Sequence, residues 1–210
     1  MMRIAILIFD GLTALDAIGP YEILSRLPET ELRFVGREAG PKRTDTGALG
    51  IHADLALAEL PDPEVLVVPG GEGNRSLMTD DEVLGWVRDV HDRSTWTTSV
   101  CTGALILGAA GILDGKWATT HWAYLDRPRE LGAETASERV VEHGKVVTAA
   151  GVSAGIDMAL TLASRIAGER VAQSIQLGIE YDPEPPFDTG SPHKAPQELV
   201  DLIRSSERTE

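Results

Sequence analysis

The chain of 210 residues contains a single cysteine, Cys101, within "TTSVCTGALILGAAG" at residues 97–111. An apolar, β-prone run, "WTTSV", gives way there to a helix-prone one, "ALILGAA". A sharp strand-to-helix turn of this kind lifts one side chain above a sheet and needs small residues two places before and after it. Ser99 and Gly103 hold those places. The pattern is that of a nucleophile elbow, G-x-S-x-G, with sulfur in place of oxygen. A helix starting at Cys101 or Thr102 would aim free N–H groups and its positive dipole end at the sulfur, lowering the thiol pKa. The same amides suit negative charge developing on a substrate. The competing reading is a buried structural cysteine, because lone cysteines are among the most buried residues.

Two other stretches invite chemistry. "GVSAG" at residues 151–155 matches G-x-S-x-G literally, follows a strand-like run and opens a helix-like one. Ser153 could be a hydrolase nucleophile served by Asp182 or Asp188 and His193. The structural alternative, which the sequence favours, makes Ser153 a helix cap and its glycines packing residues, because only a short Pro-rich tail remains to return His193. "PGGEGN" at residues 69–74 fails both the phosphate-loop and dinucleotide patterns. Its glycines are better suited to close backbone approach, and the Gly71 N–H pairs with the Thr102 N–H as a candidate oxyanion hole.

The elements that must position these residues alternate. "RIAILIF" and "EVLVVPGG" are continuous apolar runs, as in strands covered on both faces, and "ELRFVGR" and "WTTSV" read as further strands. Helical spacing runs through "TALDAIGPYEILSRL", where Pro20 should kink or divide the helix. "TDDEVLGWVRDVHDR", "TGALILGAAGIL", "SAGIDMALTLASRIAG", "ERVAQSIQLGIEYD" and "PQELVDLIRSS" complete the helices. A hairpin is expected within residues 38–60, and another turning at His143-Gly144. This order gives an α/β sandwich, mostly parallel sheet with helices on both faces, in one domain over residues 1–210. Functional groups then gather beyond the carboxyl ends of the strands, at residues 10–16, 69–74 and 100–103.

Acidic residues outnumber basic ones 33 to 19, for a formal charge of -14. Such a surface repels phosphate backbones and anionic lipids, so nucleic acid and membrane partners are not expected. One cysteine allows no internal disulfide, and the five histidines show no metal-ligand spacing. The apolar run at the N-terminus is too short for a signal peptide or a membrane span, and the expected location is cytoplasmic.

Four segments in this order, "FDGLTALDAIGPYEIL", "VVPGGEG", "SVCTGALILGAAGILDGKWATTHW" and "VVTAAGVSAGIDMALTLA", resemble the ThiJ/PfpI superfamily, cysteine proteins related to class I glutamine amidotransferases. The resemblance runs from the first strand to about Asp182. Two groups share the motifs: isonitrile hydratases and the ligand-sensing half of AraC-type regulators. The tail "QSIQLGIEYDPEPPFDTGSP" is similar to the hydratase group, and the chain ends at Glu210, without the length expected for a helix-turn-helix pair.

The resemblance implies a flavodoxin-like fold, a homodimer, no metal or organic cofactor, and an isonitrile as small-molecule substrate. It implies Cys101 as nucleophile, Asp16 facing it, and Thr102 beside it. Asp16 also fits a capping box with Thr13. The Pro20 break should further leave a carbonyl near residue 16 without its helical donor. The amidotransferase triad would require a histidine after the cysteine, for which His121, in "ATTHW", is the candidate; it reads as secondary, either lining the site or satisfying a loop carbonyl. Trp122 is either a wall of an apolar pocket or ordinary core. The chemistry implied is addition of the cysteine sulfur to the isonitrile carbon, giving a thioimidate that water converts to an N-formamide. Rivals on the same scaffold are amide hydrolysis, glyoxalase-type or deglycase chemistry, a redox sensor and a regulator's ligand sensor.

Overall fold

The computed structural model describes residues 1–208. Its strands are β1 (Met2–Leu7), β2 (Thr30–Gly36), β3 (Gly40–Arg43), β4 (Gly50–Ala53), β5 (Leu55–Ala56), β6 (Val65–Val68), β7 (Trp96–Val100), β8 (Trp117–Ala118), β9 (Glu134–Thr135), β10 (Val140–His143) and β11 (Val146–Ala149). Its helices are α1 (Ala14–Leu24), α2 (Asn74–Leu77), α3 (Asp81–Arg93), α4 (Gly103–Ala109), α5 (Arg127–Glu130), α6 (Ala154–Ala167), α7 (Glu169–Gly178) and α8 (Gln197–Arg208).

Seven strands form the central sheet in the order β10-β11-β7-β6-β1-β2-β5, all parallel except β10, which runs antiparallel to β11. Every residue of β6 and β11 is buried, which requires cover on both faces and accounts for the unbroken apolar runs. One helical group joins α1, α6 and α7; another gathers α2, α3 and α5 around α4. Ile4, Ile6, Leu66, Ile106, Leu107 and Met158 are sealed in the core between sheet and helices.

Both expected hairpins form: β3 pairs with β4, and β10 with β11 across Gly144, whose φ of 61° is the left-handed turn geometry. Asp80 caps α3, accepting from the Glu82 and Val83 amides, with Asp81 and Glu82 in the first turn. Three expectations change. Pro20 lies inside α1 and does not divide it into two helices. The helix after the cysteine starts at Gly103, later than the sequence suggests, and ends at Ala109. A short parallel pair, β8 with β9, has too few residues to show a period in sequence. Among the described residues no helix is long and apolar enough to cross a membrane.

The chain leaves β1 toward β2 and β5 on one side, then returns to β6 on the other, so the crevice between β1 and β6 is a topological switch point. Loops after β1, β6 and β7 meet there, where such sheets bind ligands.

Candidate active site

Cys101 follows β7 directly with φ of 56°, a left-handed conformation that a non-glycine residue adopts only where its surroundings impose it. Its amide donates to the carbonyls of Ala149 (3.1 Å) and Ala150 (2.9 Å), and its carbonyl accepts the Thr120 hydroxyl at 2.8 Å. The turn is therefore held from both sides. The small residue at 103 is required by space: a Cβ there would lie 2.1 Å from the Val68 carbonyl oxygen. Cys101 is 6% exposed, and that remnant faces a cavity of about 200 Å³ bordered also by Thr13, Gly71, Asn74, Thr102, His121 and Val152.

Asp16 sits in the first turn of α1 and is wholly buried. Thr13 does not form the expected capping box with it. The Thr13 hydroxyl donates to Asp45 at 2.7 Å, and Asp16 is drawn inward, where Oδ2 accepts the Gly70 amide at 2.9 Å. The Thr13 amide in turn donates to the Gly70 carbonyl at 2.9 Å, stitching the loop after β1 to the loop after β6. Among the described residues Oδ1 meets no nitrogen or oxygen donor. The Cys101 thiol and, more weakly, the Asp45 carboxylate act electrostatically on this carboxyl.

The electrostatics follow from burial. Desolvation lifts the Asp16 carboxyl from its usual range to about 7, against the opposing effects of the Gly70 amide and the Cys101 contact. Burial also pushes the Cys101 thiol up, and the Asp16 charge pushes it further. Donors that would favour a thiolate are present, namely the Val152 and Thr102 amides and the Thr102 hydroxyl, but they do not overcome desolvation. The expectation of a depressed thiol pKa is thus corrected. The two groups share one dry space and resist a second negative charge, so a single charge on the pair is the favoured state above neutrality.

Gly71 occupies φ of 128°, and a Cβ there would fall 2.3 Å from the Gly11 carbonyl oxygen. Its amide does not stand open as half of an oxyanion hole: it donates to Thr102 Oγ1 at 3.0 Å. His121 lines the cysteine cavity, with its Nδ1 accepting from the Ala123 amide at 3.4 Å. Trp122 lies outside that cavity; it stacks against His121 at 5.5 Å between centroids and borders a neighbouring groove. Gly70, Asn74 and Thr120 take part without having been singled out in the sequence. Asn74 is buried and its side-chain amide reaches the Thr102 carbonyl at 3.4 Å.

The second elbow resolves toward structure. Val152, not Ser153, carries the left-handed backbone, with φ of 35°. Ser153 caps α6 by position but makes no side-chain cap bond; its Oγ accepts from Arg139 at 3.1 Å. Ser153 and His193 border one groove, yet Asp188 is paired with Lys194 at 2.5 Å, and neither Asp188 nor Asp182 borders that groove.

The DJ-1/PfpI family profile matches residues 2–165. An isonitrile hydratase from Pseudomonas putida is 44% identical over 203 residues, 97% of this chain and 89% of that protein. The crystal structure of a ThiJ/PfpI family protein from Pseudomonas syringae superposes with a TM-score of 0.94 at 35% identity, covering 97% of this chain and 85% of that one. The transcriptional regulator CdhR of Pseudomonas aeruginosa is 27% identical over 172 residues, 80% of this chain but 50% of the regulator. With its sheet order, its elbow cysteine and these matches, the chain belongs to the DJ-1/PfpI family.

Proposed function

We propose that the protein is an isonitrile hydratase, converting an isonitrile and water to an N-substituted formamide, with Cys101 as nucleophile and Asp16 as proton carrier. The observation that carries this reading is the Asp16 carboxyl, buried beside the only thiol and titrating near neutrality. The similarity to the Pseudomonas putida enzyme supports the same substrate class.

The terminal carbon of R–N≡C accepts a nucleophile and then a proton. The Asp16 carboxylate takes the thiol proton as the sulfur attacks, which avoids a free thiolate in a site that disfavours one. Asp16 returns that proton to the same carbon, giving the thioimidate R–N=CH–S. Water adds to that carbon as Asp16 accepts its proton and passes it to nitrogen. The hydroxyl proton of R–NH–CH(OH)–S then travels through Asp16 to sulfur as the C–S bond breaks, releasing R–NH–CHO and restoring the thiol. One carboxyl with a pKa near the working pH serves each transfer. Thr102 supplies its N–H and hydroxyl to the sulfur when it carries charge. The family also carries the expectation of a homodimer, which sedimentation velocity reads directly.

Cyclohexyl isonitrile incubated with the protein should yield N-cyclohexylformamide by gas chromatography, and Cys101→Ala should yield none above the uncatalysed rate. Turnover by folded Cys101→Ala would overturn the reading.

A further inference from the structure

We infer a second binding site, for a carboxylate carried on an apolar body, in the groove behind the cysteine cavity. The groove holds about 540 Å³, within the range of small-molecule sites. It lies between the turn at residues 121–125, the segment 137–139, the start of α6 and the tail at residues 190–204. His121 and Val152 border it on one side and the cysteine cavity on the other, so the two spaces share a wall.

The charge of the groove is opposite to that of the molecule. In a chain with 33 acidic and 19 basic residues, no aspartate or glutamate among the described residues borders it, whereas Arg139, Arg204 and His193 do. Arg139 is paired with Asp157, which lies outside the lining and also accepts the Tyr181 hydroxyl at 2.9 Å. Arg204 has no carboxylate partner among the described side chains. Its guanidinium stands 5.6 Å from the centroid of the Trp122 ring, where the cation–π contact orients the planar fork. Ser153 Oγ accepts from Arg139, which leaves its single hydrogen free to donate.

Apolar surface adjoins these donors: Trp122, Leu125, Pro192 and Val200 lie in the lining, together with polar groups such as Ser137 and Gln197. A guanidinium fork recognises a carboxylate through two parallel hydrogen bonds, and the ring and aliphatic wall suit the body that carries it. Nothing in this inference requires Cys101 to turn over a substrate, so it stands or falls apart from the hydratase reading.

The probes are sodium benzoate and its neutral counterpart benzamide, titrated calorimetrically into the full-length protein at pH 7 and low salt. Benzoate should bind saturably and benzamide at least about tenfold more weakly, the difference a charge-assisted contact supplies. Arg204→Gln, an exposed change on α8 that circular dichroism can confirm as folded, should remove that preference and leave benzamide unchanged. Cys101→Ser should bind benzoate as the parent does. Absence of saturable benzoate binding, equal affinity for the two probes, an unaltered preference in Arg204→Gln, or loss of binding in Cys101→Ser would each overturn the site.

Discussion

The Gly71 amide donates to Thr102 Oγ1 at 3.0 Å, and this one bond fixes what the threonine hydroxyl offers the sulfur. A hydroxyl that accepts there keeps its single hydrogen for another partner, and the Thr102 hydroxyl interacts with Cys101 as a donor. The loop after β6 thus sets the polarity of a group on the loop after β7. Thr102→Val keeps the shape, strips the donor and leaves the part-buried Gly71 amide unpaired, costing about 1 kcal/mol of stability. Isonitrile turnover should fall about tenfold or more in kcat/KM, as loss of one charge-assisted bond predicts. Thr102→Ser should recover most of both. A Thr102→Val protein with parental stability and kinetics would mean the bond does not set the hydroxyl's role.

The pH profile of kcat/KM should report Asp16. The mechanism begins from its carboxylate, and the group titrates at about 7, so the rate should climb through neutrality and level off above it. Asp16→Asn cannot accept the thiol proton and should lower kcat/KM by about 10² or more, with the neutral-range inflection gone. A parental inflection in the residual activity of Asp16→Asn would assign the titration to another group.

Stability should run the other way over the same range. The folded protein holds Asp16 neutral up to about 7, whereas the unfolded chain ionises it near its ordinary value of 3.8. Between those values the native state binds more protons, so unfolding free energy falls as pH rises and stops falling beyond about 7. The loss attributable to Asp16 is on the order of a few kcal/mol. Melting temperatures of parent and Asp16→Asn should therefore be closest near pH 4 and separate toward pH 8, with the asparagine protein the more stable there. Parallel curves would refute burial as the source of the shift.

Much of this arrangement was legible in the residues because short-range signals carried it. The continuous apolar runs of β1 and β6 announce a covered parallel sheet, and Ser99, Cys101 and Gly103 announce the turn, since both depend on neighbours in sequence. Asp16 was legible only through the family resemblance; its local signal pointed to a capping box that does not form, because the Gly70 amide 54 residues away takes the carboxyl. Thr120 and Asn74 carried no local signal, since each acts on a carbonyl of the elbow across 19 and 28 residues. The direction of the thiol pKa was misread for a similar reason. Helix-start donors are visible in sequence, whereas desolvation depends on how completely distant elements close over the site.

That correction has its own measurement. The Asp16 charge holds the Cys101 thiol up, second only to burial, so removing the charge should release part of the shift. Alkylation by iodoacetamide reads the thiolate fraction, because the thiolate is the reacting form. At pH 8 the parent should react more slowly than a free cysteine peptide, and Asp16→Asn should react faster than the parent, because the carboxylate charge that opposes the thiolate is gone. Cavity access must be held constant for this to be decisive. Cys101 is therefore also challenged with uncharged methyl methanethiosulfonate, whose small size fits the cavity of about 200 Å³ and whose ratio between the two proteins should match. Slower alkylation of Asp16→Asn by both reagents would show the carboxylate activating the resting sulfur instead of restraining it, and the order of proton transfer would have to be reversed.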